Sequence, residues 1–212
     1  MVRLHFLRHG QTPHSRDDRF CGAATDPDLT EAGQEMAAAF ARAYRDMPWA
    51  GLFSSPLRRA RQTAAPLAAS TGLEVQPVDG LQEIAYGEWE GLTPDEVESR
   101  YHDAHLRWEA DPAWHAPPGG ETAIELARRA VAAVDEVRRR VSDGSAVVVA
   151  HKGTIRALLC ALLGIDVGRF RQRISCPVGS VSVVEFGRRG PLLVTLADRS
   201  HLDARLRELP GT

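Results

Sequence analysis

The order of apolar patterns along this chain predicts an α/β fold, a three-layer α/β/α sandwich around a mostly parallel central sheet. Three observations carry that expectation. Ala146 to Ala150 is a run of small and β-branched apolar residues without polar alternation, the pattern of a strand buried on both faces. Helical periodicities alternate with short strand patterns through most of the chain. Finally, Arg8, His9, Arg58 and His151 each stand just after a predicted strand end, where ligands bind in sheets of this kind.

Val2 to Leu7 alternates apolar and polar before closing on Phe6-Leu7, and reads as a strand entering a core. Residues 8 to 28, rich in Gly, Pro, Asp and Ser, form a loop of a length that is usually functional when ordered. Thr30 is expected to cap a helix whose Met36, Ala37, Phe40, Ala41 and Tyr44 share one face. Ala50 to Phe53 is a short strand, and Ser54-Ser55-Pro56 should cap a helix beginning near Leu57, with Arg58 in its first turn. Leu73 to Val78 is a further strand, followed by a loop holding Glu83, Gly87 and Glu90-Gly91. Residues 94 to 115 are expected to be helical, and 94–118 reads as a cap-like helical insertion within a single domain spanning 1–212. Pro117-Pro118-Gly119-Gly120 punctuates the chain before a helix carrying Ile124, Ala127, Val131, Val134, Val137 and Val141 on one face. His151 ends the buried strand, Gly153 and Thr154 open an apolar helix to Leu163, and two last strands, Val181 to Phe186 and Leu192 to Leu196, are joined by a Gly-Arg-Arg-Gly turn.

Composition narrows the function. With 212 residues, 43% hydrophobic and 25% charged, the chain can bury one sizeable core and is neither disordered nor a disulfide scaffold. A formal charge of −2 gives no global attraction to nucleic acid or to an anionic membrane, so any anion site must be local. Cys21, Cys160 and Cys176 make no zinc-ligand or redox spacing, and no leader pattern or membrane-length apolar run is present. A cytoplasmic protein, monomer or homodimer, is the expectation. Lys152 is the sole lysine among 26 basic residues, and asparagine is absent.

Gathered at one sheet edge, Arg8 and Arg58 offer planar donor forks that match a phosphate dianion. The helix N-termini after Ser55 and Gly153 are expected to add backbone N–H groups to that cradle. A neutral imidazole at its centre, His9, can attack phosphorus, and positive neighbours keep it unprotonated. His151 is placed to bond an equatorial oxygen as charge redistributes, and Glu83 to supply a proton to the leaving group.

Leu7-Arg8-His9-Gly10-Gln11-Thr12 resembles the signature of the histidine phosphatase superfamily, also called phosphoglycerate-mutase-like. Leu29-Thr30-Glu31-Ala32-Gly33, Ser54 to Ala60, Leu81-Gln82-Glu83, Gly87 to Gly91, Gly119 to Thr122 and Val148 to His151 extend the resemblance across nearly the whole chain. It implies that His9 is the phosphorylated nucleophile, that Arg8, Arg58 and His151 hold the phosphoryl group, and that Glu83 is the proton donor. It implies no metal or organic cofactor, and the short stretch between Gly91 and Pro117 is similar to the compact phosphatase branch. The substrate so implied is a small phosphate ester.

Three positions depart from the family pattern: Ser15, Cys21 before Gly22, and Lys152 after the second histidine. Ser15, Cys21, Gly22 and Lys152 are therefore candidate substrate-binding residues, Lys152 for a second anionic group or else as a solvated side chain. Glu88, Glu90 and Glu121 rival Glu83 as the acid. Arg59 and Arg61 read as an exposed helical face, His102 and His105 as surface residues lacking a third metal ligand, and Trp89, Trp108 and Trp114 as packing or pocket aromatics. A phosphomutase and a non-catalytic phosphate-binding module are the alternatives to a phosphomonoesterase.

Overall fold

A computed structural model describes residues 1–211. Its elements, in chain order, are β1 (Val2–Arg8), α1 (Pro13–Arg16), α2 (Glu31–Tyr44), β2 (Trp49–Ser54), α3 (Arg58–Thr71), β3 (Val75–Pro77), α4 (Pro94–Ala110), α5 (Ala123–Val141), β4 (Gly144–Ala150), α6 (Lys152–Leu163), α7 (Phe170–Arg173), β5 (Val181–Gly187), β6 (Gly190–Asp198) and α8 (Ala204–Glu208). The six strands form one sheet in the order β3-β2-β4-β1-β5-β6. The first four run parallel, and β5 pairs antiparallel with both β1 and β6.

Alternation along the strands sorts the core into two layers. Leu4 and Phe6 of β1 with Ala146 and Val148 of β4 pack against α5 and α6, while Leu7, Val147 and Val149 pack against Phe40 of α2 and Ala60, Ala64 and Leu67 of α3. Helices therefore cover both faces, which is why the central strands carry no polar alternation. Thr93-x-x-Glu96 and Thr122-x-x-Glu125 close capping boxes that start α4 and α5.

The sequence reading fails in places. The helix expected over 94–115 ends at Ala110 and is kinked at Tyr101, where φ is −132° and ψ 32°. It is held by a separate cluster in which Val97 and Trp108 meet Trp89 and Phe20. The strand expected over 73–78 shrinks to three residues. The C-terminal helix α8 carries no long periodic pattern; Leu206 seats it beside Met36 and Val178.

His5 faces the α2–α3 layer from β1. Neither of its ring nitrogens finds a partner, and its ring meets Trp49 edge-on at 4.8 Å. Burial, then the Arg3 guanidinium, lower its pKa to about 4. The unfolded chain takes up this proton near pH 6.5, so the contribution is complete above 6.5 and lost as pH falls through 4. Denaturant titrations from pH 7 to 4 should show stability falling by up to about 3 kcal/mol from this residue. In His5→Phe the slope should be shallower; an identical slope would assign the acid sensitivity elsewhere.

Candidate active site

Parallel registry builds the site. Arg8 of β1 lies opposite Ala150 of β4 and Ser54 of β2 opposite Val149, so the next residues, His9, His151 and Ser55, emerge side by side. The His9 N–H bonds Ala150 O at 3.1 Å and the Ser55 N–H bonds Val149 O at 2.9 Å, which extends the ladder one step beyond the strands. The two imidazole centroids are 5.2 Å apart.

Their tautomers follow from their partners. His9 Nδ1 lies 2.8 Å from the Gly10 carbonyl, which can only accept, so Nδ1 carries the proton and Nε2 keeps its lone pair. His151 is the reverse: Arg59 Nε–H donates to its Nδ1 at 3.2 Å, and its Nε2–H reaches Ser55 Oγ at 2.8 Å. Burial, then Arg59 and Arg8, hold His9 well below the usual imidazole value, against the opposing Gly10 bond. Burial, then Arg59 and His9, do the same for His151. Both rings are neutral at physiological pH.

Arg8 is buried, and its Nη1 donates to two carbonyls, Cys176 O and Gly211 O, each at 2.7 Å; its Nε has no partner. Burial lowers its pKa to about 10, so it stays cationic. The second buried arginine is Arg59 rather than Arg58. The Arg58 side chain is 61% exposed beside Asp28, whereas that of Arg59 is 1% exposed. Besides His151, Arg59 reaches Thr25 O at 2.7 Å, Gly22 O at 2.9 Å and Asp26 Oδ1 at 3.4 Å. Helical phase explains the correction. The buried face of α3 is Arg59, Ala60, Thr63, Ala64 and Leu67, so Arg59 is in step with Thr63 and Leu67, while Arg58 and Arg61 point outward. That four-residue spacing was visible in the sequence.

Glu83 is the one of the four rival acids that lines the cleft. Its Oε1 accepts from Ile84 N at 2.9 Å, Thr154 N at 3.0 Å and Thr154 Oγ1 at 3.1 Å, and its Oε2 accepts from Gly153 N at 3.0 Å. Only glycine allows this approach, since a Cβ on Gly153 would lie 2.7 Å from Glu83 Oε1. The N-terminus of α6, expected to face phosphate, thus holds a carboxylate of the protein. The start of α3 is similarly engaged: the Arg58 N–H donates to Asp26 Oδ2 at 2.7 Å and the Leu57 N–H to Ser55 Oγ at 3.3 Å. Glu90 instead gathers the N–H groups of Gly22, Ala24, Thr25 and Tyr86, and Glu121 pairs with Arg129.

A cleft of about 320 Å³ opens on His9 and Arg8. Ser15, Cys21 and Lys152 line it, as does Trp108. Ser15 also completes the Thr12 capping box of α1, and Cys21 Sγ sits 3.5 Å from Thr25 O, its thiol pushed by burial up to about 11. Gly22 does not line the cleft; its carbonyl accepts from Arg59, and a Cβ there would lie 2.3 Å from Ile84 O and Glu90 Oε1. Burial, then Arg8 and Arg156, bring the Lys152 ammonium down to about 8. Arg156 and Arg171, which the sequence did not single out, also line the cleft. Arg156 had a signal, one turn after Lys152; Arg171 had none.

Other expectations resolve plainly. Trp89 is core and Trp114 is exposed. His105 is buried rather than on the surface, bonded to Glu98 at 2.6 Å and packed on Trp89, while His102 bonds the other Glu98 oxygen. Among the described residues no group of three or more His, Cys, Asp or Glu side chains gathers to hold a metal, and no helix is long and apolar enough to cross a membrane.

A family model described as histidine phosphatase superfamily (branch 1) matches residues 4–199. The chain is 33% identical over 202 residues to phosphoserine phosphatase 1 of Hydrogenobacter thermophilus, spanning 95% of each. It is 38% identical over 172 residues to glucosyl-3-phosphoglycerate phosphatase of Mycolicibacterium vanbaalenii, spanning 78% of this chain and 76% of that one. The solved structure of Bacillus stearothermophilus YhfR matches with a TM-score of 0.89 at 25% identity, over 95% of this chain and 99% of that one. With the sheet order, the paired imidazoles and these likenesses in agreement, the chain belongs to the histidine phosphatase superfamily, branch 1.

Proposed function

We propose that this protein hydrolyses a small phosphate monoester in two steps through a phosphohistidine on His9. The observation that carries the reading is the His9 ring itself. It is neutral, its Nδ1–H is tied to Gly10 O, and its Nε2 lone pair is therefore left for attack in a cleft whose floor is the buried Arg8. Both relatives described above are named as phosphatases, which supports hydrolysis over return of the phosphoryl group to a second hydroxyl.

In the first step Nε2 attacks phosphorus and the bond to the ester oxygen breaks. The departing alkoxide takes a proton from Glu83, whose Oε2 is engaged by one backbone N–H and has a lone-pair site to spare. Arg8 stabilises the charge on the transferring group, with its unpartnered Nε–H as a further donor. The Nε2–H of His151 turns from Ser55 to an equatorial oxygen, and Arg59 keeps His151 in that tautomer. In the second step Glu83 takes a proton from the water that attacks the phosphohistidine, releasing phosphate and restoring His9. Arg59 replaces Arg58 in the set read from the sequence, as a positioning residue. Pro94 and Trp108 on the cleft wall support a cap role for residues 94–118. Three free cysteines fit a cytoplasmic setting.

With EDTA present, the purified protein should release phosphate from a panel of monoesters, and His9→Ala should release none. Alkaline quenching in the pre-steady state should trap a phosphoprotein in the wild type; a His9→Ala protein that still turns over removes the reading. Glu83→Gln should cost roughly 10²- to 10⁴-fold on alkyl esters and far less on p-nitrophenyl phosphate, whose leaving group needs no proton. A uniform loss would assign Glu83 a structural role only. Arg59→Ala should lower kcat/KM by roughly 10²-fold or more, and Arg58→Ala by no more than about threefold. The reverse order would overturn the helical-phase argument.

A further inference from the structure

The loop that carries Glu83 is held from two sides, and only one of them is the cleft. The carboxylate rests on the N–H groups that open α6. The backbone of the same loop lies on α5, where Leu81 and Ile84 share a buried cluster with Ala127 and Ala130. Apolar contacts are non-directional, so they seat the loop without fixing how its peptide planes turn.

Direction comes from one guanidinium. Arg129 Nη1 donates to Gly80 O at 3.0 Å and to Gln82 O at 2.7 Å, and its Nη2 donates to Glu83 O at 2.9 Å. Two further bonds go to Glu121, from Nε to Oε1 at 2.7 Å and from Nη2 to Oε2 at 2.9 Å. All five donors of the side chain are therefore engaged. Gln82 O and Glu83 O belong to the two peptide planes that flank the Glu83 Cα, so one rigid fork sets both soft dihedrals of that residue and with them the direction of its side chain. Glu121 extends the hold: its N–H donates to Ala85 O at 2.9 Å, and its Oε2 accepts from the Ala85 N–H at 3.4 Å.

Neither Arg129 nor Glu121 lines the cleft, and with every donor engaged the arginine has none left for a substrate. Its side chain is 27% exposed, so water could satisfy the same carbonyls. Water could not hold them in a fixed relation to one another, which the planar fork does. The charge of Arg129 also reaches the site: after burial, Arg59 and His9, it is the next contributor to keeping His151 neutral.

We propose that Arg129, oriented by Glu121, is a positioning residue for the proton donor: it fixes the backbone on either side of Glu83 and thereby the place of the carboxylate in the cleft. The inference rests on the phosphatase reading for the role of Glu83 as acid. A misplaced acid harms only the esters that need its proton, whereas a loosened fold harms every substrate alike.

The test compares kcat/KM on p-nitrophenyl phosphate with kcat/KM on whichever alkyl ester of the panel the wild type turns over fastest. Arg129→Met should lose about 30-fold or more on the alkyl ester, the scale expected when a reacting group is displaced by about an ångström. On p-nitrophenyl phosphate it should lose no more than about threefold, and that retained turnover is the control for folding. Arg129→Lys, which keeps the charge without the fork, should recover only part of the alkyl-ester activity, and Glu121→Gln should show the same selective loss in smaller measure. Added to Glu83→Gln, Arg129→Met should change the alkyl-ester rate by no more than about twofold, because both act through one carboxylate. Where Arg129→Met does not fold, Arg129→Lys and Glu121→Gln, alone and with Glu83→Gln, carry the same comparison. Equal losses on the two esters, or full additivity with Glu83→Gln, would overturn the positioning role. If Glu83→Gln is selective for alkyl esters while the Arg129 variants are not, the phosphatase reading stands and the inference falls. Wild-type protein inert on every ester, or a uniform loss in Glu83→Gln, would remove the acid and the inference together.

Discussion

The parallel pairing of β1 with β4 is the constraint on which the rest depends. Because Arg8 stands opposite Ala150, the chain leaves both strands at the same level, and the first residue beyond each is a histidine. A slip of one residue would turn every side chain of β1 to the other face, taking Leu4 and Phe6 out of one layer and His5 and Leu7 out of the other. The apolar cores on both sides of the sheet therefore fix the distance between two imidazoles. No loop has to find that geometry, and the side chains inherit it from the ladder.

The electrostatics of the site rest on how the arginines are satisfied. Buried guanidinium groups generally need partners, and a carboxylate is the common one. Arg8 is held by two carbonyls and Arg59 chiefly by two carbonyls and an imidazole, with Asp26 at the longer distance of 3.4 Å. Carbonyl dipoles hold a cation without cancelling its charge. The positive potential thus remains at His9, where it disfavours a ring proton and favours an incoming dianion by the same field. One of those carbonyls, Gly211 O, is 203 residues away in sequence, so the C-terminal segment takes part in holding the arginine next to His9.

Periodicity made the sheet, the long helices and the strand-end positions of His9 and His151 legible, while Glu83 was singled out among neighbouring glutamates by its place in the family motif. What could not be read depends on rotation and on distant partners. Arg58 and Arg59 are adjacent in sequence and about 100° apart around α3, so naming the helix was insufficient without its phase. The N-termini of α3 and α6 were expected to face phosphate, yet Asp26 and Glu83 reach them from loops 32 and 70 or more residues away. Gly22 was assigned to substrate beside Cys21, but tight packing against Ile84 and Glu90 is what requires a glycine there.

The placement of Glu83 ties its carboxylate to the imidazoles. His151 is the N-cap of α6, and the N–H groups of Gly153 and Thr154, two and three residues later, hold the Glu83 carboxylate. The Glu83 carboxylate and the second histidine are thus carried by a single helical turn, one through its backbone N–H groups and the other as its cap. A displacement of that turn would move the Glu83 carboxylate and the His151 imidazole together. Lys152 lies between His151 and Gly153 in sequence and Arg156 one turn further on, so one helix sets the positions of both cations relative to the Glu83 carboxylate and the His151 imidazole.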